Sequence, residues 1–182
     1  MDTLLRLLSA LPSELYVLII SMIPIIELRG AIPIGAALGI PFHTNFILSV
    51  LGNMLPVPLI LIFIPRILTL LDGSKLFRPL VAYLRRKADK HSKRVLGGVD
   101  NVTESESVKR GKIMTPAIFL GLLLFVALPI PGTGAWSGSL VAALFSLSRK
   151  DAFFAILLGV VICAIIMSLA SYGVIGFLSF LI

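Results

Sequence analysis

The sequence predicts an all-α integral membrane protein, and three observations lead to this fold class. Hydrophobic residues make up 58% of the 182 residues and charged residues only 14%, whereas soluble domains have about 25% charged residues. Mean hydropathy is +1.05. Apolar runs longer than the ~20 residues that cross a bilayer core recur along the chain. We therefore expect residues 1–182 to form a single membrane domain, with lipid as the solvent for most of it.

Four apolar segments follow one another, and two of them are interrupted at the centre. Residues 15–40 and 113–145 are interrupted, whereas residues 43–71 and 152–177 read as long spans. Proline removes a helical hydrogen bond and glycine weakens a helix, so the interruptions predict broken helices. The interrupting residues are Glu27, Arg29, Gly30 and Pro33 in the first segment, and Pro129, Pro131, Gly132, Gly134 and Gly138 in the second.

The order of a broken segment followed by a long span occurs twice, which indicates internal duplication. Residues 12–71 form the first predicted repeat and residues 113–182 the second. Residues 72–112 lie between them and read as an amphipathic helix followed by a linker poor in apolar residues. Duplicated halves with discontinuous helices are typical of secondary transporters.

The distribution of charge predicts the orientation of the two halves. Of the 16 Lys and Arg residues, 11 lie between Lys75 and Lys112, which indicates a cytoplasmic loop beside anionic lipid rather than a nucleic-acid surface. If each broken segment is a re-entrant hairpin, Arg149 and Lys150 also stay inside; if each is a single span, they lie outside. The hairpin topology fits the positive-inside rule better and gives an inverted repeat. We expect a multi-pass protein of the plasma membrane.

The first break has two charged residues, Glu27 and Arg29, at bilayer depth. A buried charge there costs at least about 2.5–3.5 kcal/mol, so these residues need a partner, a water-filled cavity or a function. One interpretation is a substrate or ion site in which Glu27 carries a proton. The other is that the two side chains neutralise each other or cap broken helix ends.

The second break has no charge but offers free backbone groups. Helix N-termini after Gly134 and after Gly30 are candidate sites for an anionic group, with Thr133 and Ser137 adding hydroxyls. Alternatively, the glycines simply allow close helix packing. The remaining candidate site residues are Trp136 in this break and Asn53, which either lines a cavity or makes an interhelical hydrogen bond.

The two motifs PIIELRGAIP, from Pro24, and PIPGTGAWSG, from Pro129, resemble those of the small multidrug export protein family. That family is distantly similar to the DedA or VTT group, whose members have two facing re-entrant hairpins and are implicated in moving polyprenyl phosphates or other lipids. The resemblance implies that Glu27 matches the acidic residue of that group's first hairpin. The group commonly has an arginine after Pro-Gly in the second hairpin, where this sequence has Thr133.

These features predict a small secondary transporter coupled to a proton or a sodium ion. The expected substrate is amphiphilic or anionic, with a lipid carrier such as a polyprenyl phosphate as the leading case and multidrug export as the alternative. A non-transporting membrane scaffold is the alternative from another class. Apart from membrane lipids, we expect a second copy of the chain as partner. We expect no enzymatic activity, no cofactor and no metal site, and the one cysteine, Cys163, excludes an intramolecular disulfide.

Overall fold

The computed structural model describes residues 12–72 and 114–181, and the regular secondary structure in these ranges is helical. The all-α fold class is therefore confirmed there. The amphipathic helix and linker predicted for residues 72–112 lie outside the described residues, apart from the residue that ends α4. The helices are α1 (Ser13–Ser21), α2 (Glu27–Ala37), α3 (Phe42–Met54), α4 (Pro56–Asp72), α5 (Pro116–Ala127), α6 (Ala135–Leu144) and α7 (Arg149–Leu181).

Two stretches are long and apolar enough to cross a membrane. They are Phe42–Ile67, which runs through α3 into α4, and Arg149–Val174 in α7, each of 26 residues. At 1.5 Å per residue, such a helix is about 39 Å long and exceeds the ~30 Å of the bilayer core. Only Leu55 separates α3 from α4, because Pro56 begins a new helical run. Both segments predicted as long spans are therefore helices with the length and apolar composition of a membrane span.

The other four helices are short. Helices α1, α2, α5 and α6 have 9, 11, 12 and 10 residues, which corresponds to about 14–18 Å each, or half of a bilayer core. Residues 22–26 join the first pair and residues 128–134 join the second. Each predicted broken segment is thus a pair of short helices.

The breaks themselves lie earlier in the chain than predicted. The first precedes Glu27, and both Gly30 and Pro33 lie inside α2. The second ends at Gly134, so Trp136 to Gly138 belong to α6. A single proline removes one backbone hydrogen bond, and in α2 the surrounding bonds carry the helix past it. Pro24 lies in the actual break, where no helical bond is required of it.

The short helices pack on both long spans. Helix α1 packs against α3 and α2, and α5 packs against α7. Helix α2 also packs against α7, and α6 packs against α4, so each pair contacts the long span of the other half. One apolar core joins them, with Leu28, Ile32, Val57, Val126 and Ile156 among its members. This packing brings the two breaks together. The inverted repeat and the re-entrant course of the pairs stay predictions.

Glycine permits the close contact between α5 and α7. A Cβ added at Gly159 would lie 2.7 Å from the Leu123 carbonyl oxygen and 2.8 Å from Cβ of Val126. Small residues at helix interfaces commonly allow such approach in membrane proteins.

We expect Gly159→Ala to lower the melting temperature in detergent by several degrees. Overpacking costs about 1–3 kcal/mol, and the helix propensity gained by alanine, about 1 kcal/mol, offsets only part of this. Gly173→Ala is the matched control on α7, because a Cβ there meets no described atom within 4 Å. Equal melting temperatures for the two variants would contradict the close contact.

Candidate functional site

The Arg29 side chain extends from the first turn of α2 to the end of α5. Its Nη2 donates hydrogen bonds to the carbonyl oxygens of Val126 at 3.3 Å and Leu128 at 2.8 Å, and to that of Thr133. Nη1 donates to the carbonyl oxygen of Ile130. The side chain is 14% exposed. One guanidinium group thus donates hydrogen bonds to four backbone carbonyls at the second break.

The need for such a donor follows from the end of a helix. The last four carbonyl groups of an α-helix have no partner within it, and they carry negative partial charge. Away from water these groups must find another donor. The Thr133 hydroxyl shares its one proton between the Leu128 and Ile130 carbonyl oxygens, at 3.0 and 2.9 Å, and accepts a hydrogen bond from Nη2 of Arg29 at 3.2 Å. Arg29 thus bonds one carbonyl in the last turn of α5, that of Val126, and together with Thr133 it bonds carbonyls of the loop that follows.

Glu27 contacts a helix N-terminus, whereas Arg29 contacts the C-terminal end of a helix. Its Oε1 accepts a hydrogen bond from the backbone N–H of Trp136 at 3.3 Å, at the positive N-terminus of α6. The residue is 6% exposed. Gly134 makes room for it, because a Cβ at that position would overlap the Glu27 carboxyl group. The predicted anion site at the start of α6 therefore holds the protein's own carboxylate.

The backbone of Glu27 is itself unusual. Its φ of 51° lies in the left-handed region, which a residue with a Cβ adopts at a cost of about 1–2 kcal/mol. This conformation stands between the loop of the first break and the regular turns of α2. Strain of this kind persists where the surroundings hold the residue in place, here by the bond to Trp136.

Trp136 and Ser137 complete the junction. The Trp136 indole Nε1 donates to the carbonyl oxygen of Met22, at the end of α1, at 3.0 Å. The Ser137 hydroxyl accepts from the Gly134 N–H at 2.8 Å and donates to the Gly134 carbonyl at 3.2 Å. Ser137 therefore caps α6 locally, whereas Trp136 connects the two breaks.

Glu27 and Arg29 contact each other only at the limit of an ion pair. Nη1 of Arg29 lies 4.0 Å from Oε2 of Glu27. Cys163 is buried in α7, which packs against the helix that carries both residues. Sequence analysis did not assign Cys163 to the site, because an apolar run gives no sign of which face of the helix meets the break.

Other predicted site residues lie away from this junction or bond only locally. A Cβ at Gly30 would meet Ile26 of its own loop at 2.5 Å, and one at Gly138 would meet Val126 at 2.6 Å. Gly138 thus serves close packing, the alternative interpretation. Pro33 lies inside α2, after the break. Asn53 is buried in α3, while Pro129, Pro131 and Gly132 lie exposed in the second loop, where Gly132 has a φ of 87°.

A second polar cluster was not predicted. Asn45 of α3 donates to the Ile32 carbonyl at 2.8 Å and to the Tyr172 hydroxyl at 3.0 Å. Tyr172 donates to the Ile40 carbonyl at 2.6 Å, and Ser49 donates to the Asn45 side chain at 3.3 Å. This cluster ties α2, α3 and α7 together near the end of α2. Residues 12–72 and 114–181 include no group of three or more metal-ligating side chains.

Gly134→Ala should displace the Glu27 carboxylate from α6, because the new methyl group occupies its place. Trp136 is the one tryptophan of the chain, so its fluorescence reports on the site directly. We expect a shift of the emission maximum and greater quenching by acrylamide. Gly121→Ala on α5 is the control, since its Cβ meets no described atom within 4 Å. Unchanged emission in Gly134→Ala would show that the contact does not form.

Arg29→Lys keeps the charge but removes the planar set of donors. Lysine has a single nitrogen in place of the two guanidinium nitrogens that bond the carbonyls. Some of these carbonyl groups are therefore left unpaired, at a cost of about 1–3 kcal/mol each. We expect the melting temperature, measured from Trp136 fluorescence, to be several degrees lower than in the wild type. Arg149→Lys, at the exposed start of α7, is the matched control and should leave it unchanged. The capping role is wrong if both substitutions have the same effect.

Comparison with known proteins adds one finding. A family model described as "Putative small multi-drug export protein" matches residues 27–166, a range that begins at Glu27 and includes the whole first long span, the whole second break and part of the second long span. No curated protein and no solved structure matches the chain. The family assignment and the two apolar spans together indicate a membrane protein of an export-type family. The chain therefore belongs to the small multi-drug export protein family.

Proposed function

We propose that this protein is a proton-coupled secondary transporter whose substrate site lies between the two breaks. The observation that supports this most is the Glu27 carboxylate at the N-terminus of α6. A helix N-terminus that binds a carboxylate from the other half of the chain is also able to bind an anionic group of a substrate. Two half-length helix pairs that meet end to end are the usual construction of such sites in transporters.

The proposed topology follows from helix lengths and packing. In this topology each pair, whose helices are each about half a bilayer long, reaches the midplane and returns to its own side. Each pair packs on the long span of the other half, an arrangement expected of an inverted repeat. We place the basic loop in the cytoplasm, the protein in the plasma membrane and a second copy beside it. The distant similarity to the DedA group, which is itself a prediction, agrees with this topology.

Coupling in this proposal depends on exchange of anions at α6. When Glu27 takes up a proton, its neutral carboxyl group binds the N-terminus of α6 less strongly. An anionic substrate group then takes its place beside Arg29, and the net charge of the site is unchanged. Release of the substrate on the other side accompanies loss of the proton. Sodium is the alternative coupling ion.

The substrate class follows from the surroundings of the site. Leu128, Ile130 and Ile25, beside the breaks, are 49%, 50% and 93% exposed. An anionic head group at α6 with an apolar tail along these side chains describes an amphiphile, with a polyprenyl phosphate as the leading specific case. The family description favours a second candidate, the export of small drug-like molecules.

A scaffold is the alternative from another class. It is favoured by the fact that Glu27 and Arg29 both satisfy helix ends and so have a structural use without transport. In that case removal of the Glu27 charge would alter stability alone, and no flux would depend on it.

Flux measurements in vesicles distinguish these candidates. Purified protein is reconstituted with pyranine inside, and geranyl phosphate is added outside as a short prenyl phosphate probe. We expect internal acidification that accompanies uptake, and its loss in Glu27→Gln, which cannot exchange a proton. Glu27→Asp, which keeps the carboxylate, should retain part of the activity.

Other results of the flux measurements would change the substrate or the coupling ion, or would overturn the proposal. Ethidium flux without geranyl phosphate flux would support the drug exporter, and flux that needs sodium but moves no protons would identify the other coupling ion. Vesicles that move neither probe, or Glu27→Gln vesicles as active as the wild type, would overturn the proposal. Circular dichroism of each variant verifies that it is folded.

A further inference from the structure

Three buried polar atoms have no hydrogen-bond partner within residues 12–72 and 114–181. They are Nε of Arg29, Oδ1 of Asn53 and Oγ of Ser168. Asn53 is 1% exposed and Ser168 is not exposed at all. These residues belong to α2, α3 and α7, which pack against one another. An unpaired buried polar atom costs about 1–3 kcal/mol, so three in one interior require an explanation.

The spacing of polar residues shows how these atoms are related. Asn45, Ser49 and Asn53 are four residues apart and therefore lie on one face of α3. Ser168 and Tyr172 lie on one face of α7 in the same way. Because Asn45, near the start of α3, bonds Tyr172, near the end of α7, the two helices run in opposite directions there.

Counting helical turns along α3 and α7 from the Asn45–Tyr172 bond shows which of the other polar residues lie opposite each other. One turn into the protein, about 6 Å away, Ser49 on α3 corresponds to Ser168 on α7. A further turn along, Asn53 corresponds to the region of Cys163 on α7, a helix that also packs against α2. The nine helical steps from Tyr172 to Cys163 span about 14 Å, which is half of a bilayer core. These polar groups lie along α3 and α7, and α2, which carries Glu27 and Arg29, packs against both helices.

We propose that a file of bound water fills the interface of α2, α3 and α7 and connects Glu27 with the membrane surface near Tyr172. A bound water molecule typically makes about three hydrogen bonds to otherwise unpaired groups, which Asn53, Ser168 and Arg29 offer here. The inference depends on the proposed function for its use, which is the delivery of protons to Glu27. Each water accepts one proton and passes on another, so that Glu27 gains the proton that entered at the surface.

The charged and titratable groups around this file are few in the described chain. Helix α2 contributes Glu27 and Arg29, and α7 contributes Cys163 and Tyr172. Helix α6 contributes the backbone N–H of Trp136, and α3 contributes neutral amide and hydroxyl groups. Arg29, a fixed positive charge, opposes the passage of free cations. A relayed proton that ends on the Glu27 carboxylate leaves the pair with a net charge of only +1.

Radiolytic footprinting tests the water without any substrate. X-ray pulses convert bound water into hydroxyl radicals, which oxidise the nearest reactive side chain, here the buried Cys163. We expect Cys163 to be oxidised in the wild type, and the rate to fall by about 10-fold in the double variant Asn53→Leu with Ser168→Ala once the water is lost. Ser171→Ala is the control on α7, because its hydroxyl already bonds the Met167 carbonyl at 2.7 Å.

The outcomes separate this inference from the proposed function. Equal Cys163 oxidation in the wild type, the double variant and Ser171→Ala would overturn the water file, whatever the flux measurements give. Reduced oxidation together with slower acidification of pyranine-loaded vesicles supports the file as the proton route. Reduced oxidation with unchanged proton flux overturns its use as the route. Should the double variant fold poorly, Asn53→Leu alone gives the same comparison.

Discussion

The bonds from Arg29 to the carbonyl groups at the end of α5 are the constraint on which the rest of the structure depends. A helix that ends inside the bilayer leaves carbonyls that neither lipid nor its own backbone satisfies. Here the donor comes from the other half of the chain, so the end of α5 is satisfied only when the two halves are assembled. The packing of the two halves therefore depends on these hydrogen bonds, and the carbonyl groups of the second break depend on that packing for a donor.

Glu27 depends on that constraint, because it is only two residues from Arg29. Side chains two apart on a regular helix point to different sides, which suits two targets of opposite polarity. Glu27 reaches the positive end of α6 and Arg29 reaches the negative end of α5. The left-handed backbone at Glu27 is the strain that accompanies this arrangement. Glycine would relieve the strain but would remove the carboxylate that α6 binds.

Composition and apolar length were enough to predict the helical class, the two long spans and the two broken segments, because the bilayer demands them directly. Glu27 and Arg29 stood out for the same reason, as charges at bilayer depth. The position of the first break was wrong, since Pro33 suggests an end to a helix that in fact continues. Cys163 and the Asn45–Tyr172 bond depend on which faces of distant helices meet, and one apolar run does not encode that. The tight fit of Gly134 against Glu27 likewise exists only in three dimensions.

The two charged residues hold the junction unequally, and this bears on which of them moves in the proposed cycle. Arg29 bonds four carbonyls, and its charge is permanent at any pH a cell tolerates. Glu27 holds α6 through one hydrogen bond at 3.3 Å, and one proton removes its charge. A charged hydrogen bond contributes about 1.5–3 kcal/mol, so protonation of Glu27 removes at most this much of its attachment to α6. In the proposed cycle the junction therefore opens on the side of α6, while Arg29 keeps the end of α5 attached to α2.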